Sequence, residues 1–197
     1  MNNYFDGCYF KLQSSTQTVA LIPAFHIDSD NKKSASLQII TDSDTYYTLF
    51  DSNAFFLSKN PLRIAIGENL FTKHGIRLNI KNKSLTAVGT IKFGAITPLR
   101  YDIMGPFRYL PAMECRHSIF SLTHTVNGSL SINGKQYAFG NSVGYIEGDR
   151  GRSFPRVYAW TQCNFFDTQP CCVVVSVANI PVGVAAFTGI IGVVLWK

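Results

Sequence analysis

Apolar and polar residues alternate along most of this chain in short runs, and a period of two residues is that of a β-strand with one buried face. Apolar residues at the three-to-four spacing of a helix are almost absent. Turn-forming residues such as Asn60-Pro61 separate the runs. We therefore predict an all-β protein with strands at residues 4–12, 18–27, 35–41, 45–50, 53–58, 76–80, 85–93, 117–126, 129–139, 157–163, 171–177 and 184–196.

Two Asn-Gly pairs mark expected turns. Asn133-Gly134 lies between two alternating runs, and a two-residue hairpin turn needs positive φ at both central positions, which Asn and Gly tolerate. The strands on either side should therefore be antiparallel. Asn127-Gly128 is predicted to be a second turn by the same argument.

Many strands at regular spacing favour a sandwich or a barrel. Aromatic residues make up 13% of the chain and charged residues only 15%, and the interior of a barrel lined with aromatic side chains can hold an apolar ligand. The sequence contains no repeat or linker, which predicts a single domain over residues 1–197.

The run from Val173 to Trp196 contains no charged residue and is long enough for a membrane-spanning helix. Pro181 lies in its middle, however, and β-branched residues and glycines are frequent, all of which disfavour a helix. We predict two buried strands.

Composition and charge exclude several classes of protein. No secretory signal is evident, so a cytoplasmic protein is expected. The five cysteines are predicted to be reduced and to bind no metal, because their spacing is not that of a zinc site. The formal net charge of +6 would suit an anionic ligand or a peripheral contact with an anionic membrane. The basic residues are spread along the chain, so no nucleic-acid partner is expected.

The segment 144–156 holds the densest group of polar and special residues. On an extended backbone Glu147 and Asp149 would point to the same side. One interpretation is a catalytic acid whose pKa is set by apolar walls and by nearby arginines. The alternative, which residue types alone favour, is a salt-bridged loop that closes one end of a barrel. The segment lacks the Gly-Lys-Ser/Thr ending of a phosphate loop, and the chain has no Gly-x-Ser-x-Gly elbow.

Several stretches are similar in sequence and order to the tocopherol cyclase-like family, in particular to its bacterial members. The stretches are YFDGCYFK (residues 4–11), YDIMGPF (101–107), MECRH (113–117), GYIEGDRGRSFP (144–155) and WTQCN (160–164). The chain differs from the family pattern at Cys8, where tryptophan is common, and at Arg150, where plant members have tryptophan. The resemblance implies a lipocalin-like antiparallel barrel, the first of two and incomplete at the carboxyl end, related to carotenoid hydratases.

The resemblance also implies an activity. Plant members close the chromanol ring of vitamin E from a prenylated quinol. Protonation of an alkene needs a neutral acid in a dry cavity, because water would otherwise capture the carbocation. We expect Asp149 or Glu147 to be this acid, with Asp6 as a third candidate. No cofactor is expected. The residues expected to bind substrate are Arg150, Arg152, Tyr145, Tyr158, Trp160 and His117.

Three hypotheses follow from the sequence. The first is an acid-catalysed cyclase or hydratase that acts on a prenylated quinol or a related isoprenoid. The second is a non-catalytic carrier that binds an apolar molecule in the same barrel. The third is a truncated, inactive member of the family.

Overall fold

The computed structural model describes residues 3–110, 113–166, 171–182 and 185–196, and it confirms the all-β prediction. All strand pairs in the described chain are antiparallel, and two short 3-10 turns, Ser52–Ala54 and Gly105–Tyr109, interrupt the strands. The strands are β1 (Tyr4–Gln13), β2 (Thr18–Ile27), β3 (Lys33–Thr41), β4 (Thr45–Phe50), β5 (Phe55–Lys59), β6 (Leu62–Ile66), β7 (Asn69–Thr72), β8 (Gly75–Lys81), β9 (Thr86–Phe93), β10 (Cys115–Ile132), β11 (Lys135–Gly151), β12 (Tyr158–Cys163), β13 (Cys171–Val182) and β14 (Ala185–Trp196).

Eleven strands form one curled sheet in the order β4-β3-β2-β1-β11-β10-β9-β8-β7-β6-β5. The curl brings distant strands together across the interior. The rings of Phe10 on β1 and Phe71 on β7 are 5.2 Å apart. At the edge of the sheet, Lys59 of β5 forms a 2.8 Å ion pair with Asp6 of β1. The predicted lipocalin-like antiparallel barrel is thereby confirmed.

The interior of this barrel is filled by its own side chains. Alternate residues of nearly every strand, among them Leu12, Leu37, Ile64 and Ile146, are fully buried in one continuous apolar cluster. Small barrels are commonly packed in this way, because side chains from facing strands meet at the axis. The expectation that the barrel interior holds the ligand was therefore wrong.

The two Asn-Gly pairs adopt different local structures. Asn133 and Gly134 both have positive φ, 47° and 84°, and connect β10 to β11 as predicted. Asn127-Gly128 is not a turn, because it lies inside the long strand β10 at a shift in register. Gly128 has a φ of 128°, and a Cβ there would lie 2.2 Å from the carbonyl oxygen of Thr90. The glycine permits close approach of β9 rather than chain reversal.

Strands β12, β13 and β14 form a separate three-stranded sheet. The predicted strand pair in the apolar carboxyl-terminal run is thus confirmed, but the prediction that both strands are buried was wrong, because alternate residues of β14 such as Ile190 and Val194 are exposed. One face of this sheet, including Cys172 and Val174, packs against Tyr145 and Leu122 on the outer face of the barrel. Its opposite face leaves large apolar residues such as Trp196 exposed. None of the helical segments in the described ranges is long and apolar enough to cross a membrane.

Candidate active site

A mainly apolar cavity lies outside the barrel. It has a volume of about 520 Å³ and is enclosed between the outer face of the barrel wall and the inner face of the three-stranded sheet. We call the adjacent strands β1, β10 and β11 the shared wall, because their inner face belongs to the barrel core and their outer face to the cavity. A connecting segment before β10 contributes Met104 and Phe107 to the lining.

Strand alternation places the acidic residues on the cavity side. Ile146 of β11 is buried in the barrel core, whereas its neighbour Glu147 lines the cavity, and Asp149 follows Glu147 on the same side. The prediction that the two carboxylates share a side is confirmed. On β10, His117 is the register partner of Asp149 and lines the same cavity. Segment 144–151 is therefore strand rather than the loop of the alternative interpretation.

A continuous polar chain connects four side chains at this point. The Nδ1 atom of His117 is 2.8 Å from Oδ1 of Asp149, and its Nε2 atom is 3.3 Å from Oε2 of Glu147. The hydroxyl of Tyr145 donates a hydrogen bond of 2.6 Å to the same Glu147 oxygen. His117 thus lies between two carboxyl groups: it is hydrogen-bonded to Asp149, and its Nε2 atom is close to Glu147 without forming a hydrogen bond in this geometry.

Burial changes the proton affinities in this cluster. Glu147 is only 4% exposed, and desolvation raises its pKa from 4.5 to about 7, against the opposing effects of His117 and of the Tyr145 hydrogen bond. Desolvation lowers the pKa of His117, but the hydrogen bond that its Nδ1–H donates to Asp149 and the charges of both carboxylates outweigh it, so its pKa is raised. Near neutral pH the cavity therefore presents a carboxyl group that can hold and release a proton.

Aromatic rings form much of the remaining lining. Trp160 of β12 packs edge-on against Tyr9 of β1, with ring centroids 5.8 Å apart. Phe154 stacks on Phe5 at 4.8 Å and on Tyr158 at 5.8 Å. These rings come from both sheets and present faces and edges toward the apolar space, where a cationic centre would be attracted to them.

The structure brings together only some of the residues singled out from sequence. Glu147, Asp149, His117, Tyr158 and Trp160 line the cavity, and fully buried Tyr145 contacts Glu147.

Three residues of the predicted set lie elsewhere. Asp6 is paired with Lys59 at the inner face of the barrel. Arg150 and Arg152 are exposed and do not line the cavity.

Sequence reasoning did not single out several residues that line the cavity. Tyr9 is the register partner of Glu147, and the Cys115 thiol lies 3.7 Å from Oδ1 of Asp149. The backbone N–H of His117 points to Sδ of Met104 at 3.4 Å. Tyr9, Cys115 and Met104 all belong to the stretches that carry the family resemblance. Their position in those stretches was the sequence signal that could have identified them as site residues.

The same cluster could also accept a cation. One ligand atom each from His117, Glu147 and Asp149 lie within 4.8 Å of one another. Both ring nitrogens of His117 already face carboxylate oxygens, an arrangement that holds protons without a metal.

A family model described as tocopherol cyclase-like matches residues 85–194. The chain belongs to the tocopherol cyclase-like family. The matched region contains His117, Glu147, Asp149 and Trp160, so the polar cluster and part of the aromatic lining lie within it. No curated protein matches the chain.

Two solved structures match the chain. The structure of kievitone hydratase from Nectria haematococca has a TM-score of 0.52 and 12% sequence identity, and the match covers 99% of this chain and 64% of that one. This chain therefore spans less than two thirds of that protein. A putative AttH from Nitrosomonas europaea has a TM-score of 0.49 and 8% identity, with 96% of this chain and 68% of the other covered. At such identities the first likeness shows the fold alone.

Proposed function

We propose that the protein catalyses acid-dependent ring closure of a prenylated quinol or a related isoprenoid, with Glu147 as the proton donor. The observation that carries this proposal is a carboxyl group, almost fully buried and with a pKa raised to about 7, that faces an apolar cavity. Membership of the tocopherol cyclase-like family supports the same class of reaction. Asp149, the other main candidate for the acid, acts through His117 in this proposal.

The reaction begins with proton transfer from Glu147 to the less substituted carbon of the prenyl double bond, which forms a tertiary carbocation. The phenol oxygen attacks the cation and closes the ring. The proton of that phenol then leaves to the carboxylate of Glu147, directly or through His117, so the acid is regenerated. One carbon–oxygen bond and one carbon–hydrogen bond form, one carbon–carbon π bond and one oxygen–hydrogen bond are lost, and no atom is gained, so the reaction is an isomerisation.

His117 and Asp149 control the proton in this scheme. The Nδ1–Asp149 contact fixes the imidazole ring, and the Nε2 atom then faces the Glu147 carboxyl group. A histidine held in this way can accept the phenol proton and return it to Glu147.

The apolar lining protects the cation. Trp160, Tyr9 and Tyr158 surround the space beside the acid, and a desolvated cation over an aromatic face gains about 2 kcal/mol or more. Exclusion of water also prevents capture of the cation as an alcohol.

The decisive experiment is incubation of the protein with a prenylated benzoquinol under reducing conditions and chromatographic detection of the cyclised product. Loss of the acid in Glu147→Gln should lower turnover by about 100- to 10,000-fold, the usual contribution of a general acid. Asp6→Asn is the matched control, because it removes a carboxylate from the opposite face of the same strand pair and should leave turnover within about twofold.

Two other outcomes of this experiment would identify other functions. A tertiary alcohol in place of the ring would show that water is admitted to the cavity and that the enzyme is a hydratase, as its structural neighbour kievitone hydratase is named. Binding of the quinol without any product would show a carrier, the second candidate, which requires the apolar cavity but not the acid. Equal turnover in parent and Glu147→Gln would refute the assignment of Glu147.

A further inference from the structure

The opening of the cavity is bordered by residues 152–158, which comprise the segment that connects β11 to β12 and the first residue of β12; we call them the mouth loop. Phe154 and Tyr158 line the cavity, yet they are 47% and 52% exposed. A residue that is both lining and exposed lies where the cavity meets solvent. Val157, between them, is 70% exposed. The mouth loop therefore presents three large apolar side chains outward.

The mouth loop also carries two positively charged side chains. Arg152 and Arg156 are exposed, and neither forms an ion pair with any residue that the structure describes. Neither lines the cavity, so both guanidinium groups are available to an anion outside it. Exposed aromatic rings beside arginines are the combination found where proteins contact a charged membrane interface.

A second basic region provides a comparison. Residues 59–92 contain seven of the basic side chains but only one acidic residue, Glu68. Arg63 and Arg77 lie exposed on β6 and β8, around the barrel from the cavity. This region contains no exposed large apolar residue. The region 59–92 therefore has positive charge but no exposed apolar side chain that could enter a membrane interface, whereas the mouth loop has both.

We propose that the mouth loop docks on an anionic lipid bilayer. Arg152 and Arg156 bind lipid phosphates, and Phe154, Val157 and Tyr158 enter the interfacial layer. In this orientation the cavity opens toward the hydrocarbon region, from which an apolar ligand can enter without crossing water. The purpose of the docking rests on the proposed function, but the docking itself is independent of turnover.

Co-sedimentation with vesicles tests the proposal without any ligand. The parent protein should bind vesicles of phosphatidylcholine mixed with phosphatidylglycerol, and it should bind pure phosphatidylcholine vesicles far more weakly. A basic residue near an anionic surface contributes roughly fivefold in affinity, so the double variant Arg152→Ser/Arg156→Ser should bind at least about tenfold less tightly. Val157→Ser should also weaken binding, by roughly threefold.

The matched control is Arg63→Ser/Arg77→Ser, which removes the same charge from the region without exposed apolar residues. It should change vesicle affinity by less than about twofold at moderate salt, since exposed charges away from the contact are screened. Equal losses of affinity in the two double variants would overturn the proposal in favour of diffuse electrostatic attraction. Failure of the parent to bind anionic vesicles would also overturn it. Binding of the prenylated benzoquinol in detergent solution should be unaffected in both double variants. Failure of docking and failure of the proposed activity are therefore separable.

Discussion

Phe10 and Tyr9 are neighbours on β1, but Phe10 points into the barrel and Tyr9 into the cavity. On β11, Ile146 and Glu147 are divided in the same way. The inner face of the shared wall is packed against its own barrel without space for a ligand, whereas the outer face borders about 520 Å³ of open volume. The comparison shows that β1 and β11 stabilise the barrel with one set of alternate residues and line the candidate active site with the other set.

Truncation on the two faces should separate these roles most clearly. Phe10→Ala removes a fully buried ring that packs on Phe71, and we expect the free energy of unfolding to fall by about 3–5 kcal/mol. Tyr9→Ala enlarges an existing cavity and should cost less than half of that, while it weakens ligand binding. Chemical denaturation of both variants measures the difference. Similar losses of stability would show that the two faces are not functionally distinct.

The pH dependence of stability sharpens the comparison further. Because the pKa of Glu147 is raised from 4.5 to about 7 on folding, the folded protein holds this proton more tightly than the unfolded chain does. The resulting stabilisation is fully present below pH 4.5 and is lost as the pH rises through about 7, by on the order of 3 kcal/mol in total. The raised pKa of His117 acts in the same direction, so its stabilisation is also lost as the pH rises.

Denaturant titrations of the parent and of Glu147→Gln at mildly acidic and mildly alkaline pH would measure this effect. The variant cannot ionise at position 147, so the parent should lose more stability than the variant on going to alkaline pH. A parent that gains stability relative to the variant over this range would contradict the buried, proton-binding carboxyl group.

The smallest expected effect is that of Tyr145→Phe. The Tyr145 hydroxyl hydrogen bond stabilises the ionised form of Glu147 and lowers its pKa. Removal of the hydroxyl should therefore raise that pKa and move the alkaline limb of the activity profile upward by up to about one pH unit. Turnover measured across pH tests this, and a shift toward lower pH would show that Tyr145 does not act on the acid.

Local pattern predicted a substantial part of the fold. Asn133-Gly134 formed the expected hairpin because its φ preferences match a two-residue turn. Glu147 and Asp149 share a face because strand geometry requires it at that spacing. The same rules failed at Asn127-Gly128. There the pairing of β10 with β9 continues in register, and a bulge in the pairing of β10 with β11 takes the place of the expected turn.

Other parts of the site depend on contacts between distant residues. The pairing of Tyr9 with Glu147 joins positions far apart in the chain, and no periodicity specifies it. Arg150 adjoins Asp149 in sequence but lies on the alternate side of β11, so adjacency did not imply contact with the acid. Asp6 was separated from the other two acids for the same reason, because β1 directs it toward Lys59.

The order of residues along this chain determined that it forms antiparallel strands, and which side chains share a face, because both follow from backbone geometry over a few residues. Only the tertiary structure decided which face became the core and which became the site. That choice depends on how the sheet curls and on where the three-stranded sheet packs, since burial by a distant segment is what removes water from Glu147 and raises its pKa.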